Sequence, residues 1–343
     1  MRALRVHEHG GPSVLRVDSI ETPSPGPGQV RVAVRYVGVN HLDTWVRRGV
    51  PGHTFPLPIT LGSDVAGIVD AVGEGTHLEV GARVALHPSN GCGRCARCEA
   101  DRDDLCADFA IRGESFDGGC AEFVVVDEAL LLPVPDEIDL EIAAATPLTL
   151  LTAWHMLVGR AGIQPGQTVL VQAVGSGVGS MAVQIAKFRG CTVLGTASTE
   201  EKREKARALG ADHVFGYDET RDRVRQHAPK GVDIVVDHVG EATWKDSVRS
   251  LAWGGTLVTC GATTGPKVGL DLRAVFFKQL SVLGSTMGSG KELLDAWAAF
   301  QAGHIRPVVH RVVSMRAAAE AHTALEDRAV FGKIVLKQDL AEG

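Results

Sequence analysis

The chain lacks any apolar run approaching the ~20 residues that cross a bilayer. Its start, Met1-Arg-Ala-Leu-Arg-Val-His-Glu, lacks the apolar core of a secretory signal, so a cytoplasmic protein with no membrane partner is expected. A basic face is missing too. Net charge is −6 with acids and bases interspersed, which leaves no surface pattern suited to nucleic acid. No Gly-x-Ser-x-Gly elbow and no His-Glu-x-x-His pair occurs, so hydrolase chemistry has no starting residue. Internal repeats and low-complexity tracts are also absent. What is there is a globular chain of 343 residues, 45% of them hydrophobic, enough for about two domains with a core each. Its 40 glycines imply many tight turns.

The most informative stretch is 166–190, because the apolar period changes inside it. Thr168–Val171 reads as a buried strand, whereas Val178, Met181, Ala182, Ile185 and Ala186 fall at helical spacing. Gly175, Ser176, Gly177, Val178 and Gly179 form the turn between them. Glycines without Cβ let backbone N–H groups approach a ligand, and the start of the following helix favours a phosphate. Read literally as G-x-G-x-x-G the motif fails, since Ser180 stands where the third glycine would fall. A tight strand-to-helix turn without a ligand therefore stays open on the motif alone. Further strand-like runs at Val193–Leu194, Val214–Phe215, Asp233–Val236, Thr256–Thr259 and Leu280–Leu283 alternate with helical stretches at Glu200–Leu209 and Ala242–Leu251. Such alternation builds a doubly wound parallel sheet, here of six strands.

Residues 1–35 alternate as strands do, broken by the turn Thr22-Pro-Ser-Pro-Gly-Pro-Gly28. Gln29–Tyr36 reads as a half-buried strand that leads into a turn carrying Asn40, His41 and Asp43. Pro56–Gly73 suits a tightly wound small barrel. Residues 89–108 then depart from the pattern: Cys92, Cys95, Cys98 and Cys106, four of the seven cysteines, stand in C-x2-C-x2-C-x7-C spacing. One polar loop can wrap four thiolates around a tetrahedral ion, and with no open position that ion is structural zinc. An iron–sulfur cluster or metal-free thiols remain alternatives. Cys120, Cys191 and Cys260 read as packing residues. An apolar helical stretch from Glu141 through His155 links two lobes. Beyond 285, Glu292–Ala302 and Arg316–Leu325 read as helices and Gly332–Leu336 as a closing strand, too little for a separate core.

In this order, Gly38-Val-Asn-His-Leu-Asp, Gly62-Ser-Asp-Val-Ala-Gly, the four-cysteine loop, Gly175-Ser-Gly-Val-Gly with Gln184-Ile-Ala-Lys, Leu209-Gly-Ala-Asp, Val232-Asp-Ile-Val-Val-Asp, Gly254-Gly-Thr-Leu-Val and Gly332-Lys-Ile-Val-Leu resemble the medium-chain dehydrogenase/reductase superfamily of zinc alcohol dehydrogenases and zinc-free quinone oxidoreductases. The resemblance covers essentially the whole chain. It implies a Rossmann-type doubly wound sheet at 150–285, inserted into a β-rich GroES-like catalytic lobe made of 1–149 with 286–343, and an active site in the cleft between them. Where zinc alcohol dehydrogenases hold a catalytic zinc, this chain departs. Asn40 stands at the first ligand position, Ser63 with Asp64 replaces His-Glu, no plausible ligand occurs near 147–149, and Leu42 takes the place of the relay hydroxyl. Asn40 and Asp64 are instead similar to the quinone-oxidoreductase branch, although the cysteine loop is a trait of the zinc branch.

The expected catalytic residues are thus Asn40, His41, Asp43 and Asp64. Asn40 can hydrogen-bond a substrate oxygen or the nicotinamide ribose, and His41 can meet a phosphate or relay a proton. A local Asx-type turn with a surface histidine, and acids that merely anchor backbone, are the alternatives. Cofactor contacts are expected from Gly175, Ser176, Gly177, Val178, Gly179, Ser198, Lys202 and Thr152. NADP(H) is favoured over NAD(H), because Leu194-Gly-Thr-Ala-Ser198 offers no acid for a ribose 2′-hydroxyl, while Ser198, Lys202 and Arg203 suit a phosphate. The same cations would otherwise be a solvated helix face. The overall expectation is hydride transfer between NAD(P)H and a small quinone or activated alkene without catalytic zinc, in a homo-oligomer, a dimer or tetramer. Alcohol dehydrogenase and a non-catalytic nucleotide-binding relative are the alternatives.

Overall fold

The computed structural model describes residues 1–340, in two compact units: Met1–Leu148 with the segment from Pro307 onward, and Thr149–Arg306.

In the second unit the six expected strands form one parallel sheet, ordered His213–Phe215, Thr192–Thr196, Thr168–Val171, Val232–Val236, Leu251–Thr259 and Ser281–Gly284. Helices Gly177–Phe188, Glu200–Ala208, Thr220–His227, Glu241–Ser250 and Leu272–Lys278 join them. Strands in such a sheet are covered on both faces, which is why they read as continuous apolar runs. Leu170, Leu194, Phe215, Val235, Trp244, Leu251 and Leu257 form one buried cluster there.

The first unit is β-rich. Its main sheet runs in the order Leu131–Pro133, Arg83–Leu86, Asp64–Val72, Gln29–Gly38, Lys333–Lys337 and Val309–Ser314, with Phe123–Asp127 also paired to Gln29–Gly38. Along Gln29–Gly38 burial alternates, Val30, Val32 and Val34 facing the core; this is the period-two pattern of a half-buried strand. The closing strand from the far end of the chain pairs antiparallel with it, Val335 opposite Gly38. On the other side Gly38 lies opposite Asp64. An added Cβ at Gly38 would lie 2.3 Å from the Ala144 carbonyl oxygen, so this close approach requires glycine.

Several sequence expectations are corrected. The segment carrying Asn40, His41 and Asp43 is not a free turn: His41–Arg48 is a helix and Asn40 is its N-cap residue. Glu141–His155 is not one helix. Leu140–Ala144 ends before Pro147, which lacks an N–H to continue the ladder and instead opens Pro147–Trp154, followed by a π-helical turn His155–Arg160. The chain leaves the second unit at Arg306 rather than 285. Helix Gly290–Gln301 holds it there: Glu292 hydrogen-bonds His155 at 2.8 Å, and Arg306 donates its N–H to Gln184 at 3.0 Å. Among the described residues no helix is long and apolar enough to cross a membrane.

Candidate functional site

In the parallel sheet the strand order reverses between Thr168–Val171 and Val232–Val236, and ligands of open α/β sheets bind beyond the carboxyl ends of strands at such a point. The glycine turn follows the first strand, and Asp237-His238-Val239-Gly240 follows the second. Gly175, Ser176, Gly177 and Val178 are half-buried, leaving backbone within reach. Gly179 is buried. A Cβ on Gly179 would lie 2.3 Å from the Ala173 carbonyl oxygen, so Gly179 is the residue that lets helix and strand approach. The motif frame is therefore shifted by one from the literal one: Gly179, not Ser180, occupies the third glycine's role. Ser176 caps the helix, its Oγ accepting the Gly179 N–H at 2.8 Å. His238 Nε2 lies 2.8 Å from the same oxygen.

At the end of Thr192–Thr196, Ser198 is exposed and Lys202 half-buried. Lys202 follows the helix cap Thr199, and burial lowers its pKa. Arg203 turns inward, donating to the Ala197 carbonyl at 3.3 Å and to Glu200 at 3.1 Å. No carboxylate occurs between Leu194 and Thr199. Thr152 is buried on the helix Pro147–Trp154, its hydroxyl 3.8 Å from Met287 Sδ.

In the first unit, the register that sets Gly38 between Asp64 and Val335 gathers a buried polar cluster at the strand ends. Asp64 is 0% exposed and Lys333 3%. The Lys333 ammonium donates to Asp64 Oδ2 at 3.0 Å and to Asn40 Oδ1. Asn40 Nδ2 donates to the same Asp64 oxygen at 3.0 Å and to the Gly38 carbonyl at 3.3 Å. The other Asp64 oxygen accepts the Leu148 N–H at 2.6 Å. Asp43 accepts the Asn40 N–H at 2.7 Å and the Gly62 N–H at 3.1 Å, pinning the helix start to the neighbouring turn. Burial pushes its carboxyl pKa up to about 6. His41, the residue after Asn40, is exposed. Ser63 donates its hydroxyl to the Arg112 carbonyl at 2.7 Å. Asn40, Asp43 and Asp64 are thus brought together, and Lys333 is the partner that sequence reasoning missed. The available signals were its place in the motif Gly332-Lys-Ile-Val-Leu and a lysine set directly before the apolar residues 334–336.

The cysteine loop folds as its spacing suggests. Sγ atoms of Cys92, Cys95, Cys98 and Cys106 all lie within 4.8 Å of one another, with pair distances of 3.6 Å for Cys95 to Cys98 and 3.8 Å for Cys95 to Cys106. A tetrahedron with zinc–sulfur bonds of about 2.3 Å has sulfur–sulfur edges of about 3.8 Å. The donor set therefore fits zinc. Backbone N–H groups of Cys92 and Asp108 point at Cys106 Sγ from 3.4 and 3.3 Å, as they would to support a thiolate. At the positions of Asn40, Ser63 and Asp64 the residues do not fit a second zinc: an amide, a hydroxyl and a carboxylate are already bonded internally, and an ammonium sits against two of them.

Family models match in two places. The alcohol dehydrogenase GroES-like domain covers residues 26–136, and the zinc-binding dehydrogenase domain covers 177–302. The quinone oxidoreductase of Homo sapiens is 30% identical, across 98% of this chain and 97% of its own length. An NAD-dependent alcohol dehydrogenase of Saccharolobus solfataricus is 32% identical, across 98% and 99%. A solved NAD-dependent alcohol dehydrogenase superposes with a TM-score of 0.95 at 45% identity, covering 98% of this chain and 99% of that one.

Proposed function

The chain belongs to the medium-chain dehydrogenase/reductase superfamily and is an oxidoreductase, and from that premise we propose that it transfers a hydride between NADP(H) and a quinone or activated alkene, with one structural zinc and no catalytic metal. One observation carries the reading: the Lys333 ammonium is bonded to both Asn40 Oδ1 and Asp64 Oδ2. Those oxygens would otherwise be the candidates to hold a metal. A fixed cation within hydrogen-bond reach opposes a divalent ion by like charge, and a catalytic zinc needs about three protein ligands and an open position.

When bound, the reduced nicotinamide supplies the hydride. The protein's part is to bind, orient and protonate. Gly175–Gly179 offer backbone N–H groups and a helix start to a diphosphate, and Ser198 with Lys202 offers donors to a ribose phosphate where an acid is missing. Without a Lewis acid an alcohol keeps a high pKa and resists oxidation. Reduction of a quinone or enone asks only for alignment and a proton, which water or the exposed His41 can deliver.

Alcohol oxidation with NAD is the second reading, favoured by the 45% identity to a solved NAD-dependent alcohol dehydrogenase. A panel of NADH and NADPH against simple quinones, enones and alcohols, followed by nicotinamide absorbance, separates the two. Faster consumption of NADPH with a quinone or enone is expected. Dominant NAD-linked alcohol oxidation would overturn the proposal.

We further propose a homo-oligomer. The strand Ser281–Gly284 ends its sheet, and around it Trp253, Leu272, Phe276 and Phe277 are 61–71% exposed. A strand edge that no other strand pairs with among the described residues, beside such an apolar surface, suits a second copy of the same chain.

A further inference from the structure

His238 was not singled out by the sequence, yet it stands at the carboxyl end of the strand next to the glycine turn. Its loop is rigidly held. The Asp237 carboxylate accepts the N–H groups of Val239 and Gly240 at 2.9 and 3.0 Å and the hydroxyls of Thr243 and Ser247 at 2.8 and 2.6 Å. His238 is 8% exposed. Its Nε2 reaches Ser176 Oγ at 2.8 Å, while its Nδ1 is buried without a partner among the described residues.

Hydrogen positions follow from this arrangement. A buried N–H without an acceptor is rarer and costlier than a buried bare lone pair, so the proton belongs on Nε2 rather than Nδ1. Ser176 Oγ then receives two hydrogens, one from His238 Nε2 and one from the Gly179 N–H at 2.8 Å. A serine hydroxyl has two acceptor sites and one hydrogen. With both sites filled, its own hydrogen must point away from both donors.

We propose that His238 is a positioning residue of the dinucleotide site: by donating to Ser176 Oγ it fixes the Ser176 hydroxyl as a donor to the cofactor's diphosphate. The inference rests on the cofactor reading above. The hydroxyl joins the N–H groups of Gly177 and Val178, at the start of the helix Gly177–Phe188 and without an intrahelical acceptor, in one preorganised anion cradle. Burial holds the imidazole below its ordinary pKa, which keeps it in the neutral form that this arrangement uses. It also gives a reason for serine at a turn where glycine would otherwise do: with His238 beside it, the side chain adds a donor that bare backbone lacks.

The test compares the wild type with His238→Phe, which removes the donor, and His238→Gln, whose side-chain amide can return an N–H to the position of the imidazole Nε2. Dissociation constants are measured for NADPH, NADH, ADP-ribose and adenosine, together with the melting temperature of the unliganded protein. His238→Phe is expected to weaken both dinucleotides and ADP-ribose about tenfold, the scale of one oriented hydrogen bond to a charged oxygen. Adenosine affinity is expected to stay as in wild type and melting to fall only slightly, as for the loss of one hydrogen bond, with partial recovery of dinucleotide and ADP-ribose affinity in His238→Gln. Should His238→Phe fail to fold, Ser176→Gly carries the same expectation for the dinucleotides, ADP-ribose and adenosine, with a small drop in melting from the lost helix cap. Unchanged ADP-ribose affinity, or an equal loss for adenosine, overturns the role of His238 while leaving the cofactor reading standing. A wild type that binds neither dinucleotide nor ADP-ribose overturns both.

Discussion

A lysine ammonium 3% exposed persists only where its charge is matched, and Lys333 meets that condition through Asp64. Removing one member leaves the other as an uncompensated buried charge. Lys333→Met is therefore expected to lower stability by about 3–5 kcal/mol, whereas Lys333→Met combined with Asp64→Asn recovers part of that loss. Equilibrium denaturation of the two single variants and the double one checks this. Additive losses, or a Lys333→Met cost below about 1 kcal/mol, would show that the pair is not coupled as its geometry requires. Asn40 and Asp64 could be read from the sequence because they stand in motifs near one another in the chain. Lys333 could not, because only the register Val335 opposite Gly38 opposite Asp64 brings it across 269 positions to Asp64. His238 escaped for the same reason. Its partner Ser176 is 62 residues away, and their meeting depends on which two strands become neighbours.

At the scale of elements, the parallel strands were legible because continuous apolar runs bounded by glycine have few other uses. The helix His41–Arg48 was not legible. It starts within three residues of a strand end, and its cap depends on Asp43 reaching back to the Asn40 N–H at 2.7 Å rather than on any apolar period. Pro147 divided a stretch whose apolar composition alone suggested one helix. The element with the clearest unmet demand is the edge strand Ser281–Gly284, beside the helix Leu272–Lys278, on which Phe276 and Phe277 are 61% and 64% exposed. Covering that surface by a second copy predicts an oligomer of two or four chains in sedimentation. Phe276→Glu together with Phe277→Glu is expected to shift it to monomer while leaving the far-ultraviolet spectrum intact. A wild type that sediments as a monomer at micromolar concentration would contradict the assignment.

For the whole molecule, the chain order could be read as a β-rich unit, a parallel-sheet unit and a return, but the return point could not. Composition does not distinguish a helix that packs on one unit from a helix that packs on the other. Gly290–Gln301 is settled by the His155–Glu292 contact, which no local pattern announces. The proposed function rests on how metal ligands are distributed over the chain. Four thiolates close one site within 4.8 Å, and an internally bonded amide, carboxylate and ammonium stand where a second would need ligands. The most direct test is zinc content per chain, measured by elemental analysis alongside activity before and after mild chelation. One zinc per chain, with NADPH-linked quinone or enone reduction unaffected by chelation that leaves the cysteine site loaded, is the predicted result. Two zinc ions per chain, with alcohol oxidation lost as the weaker one is removed, would contradict it.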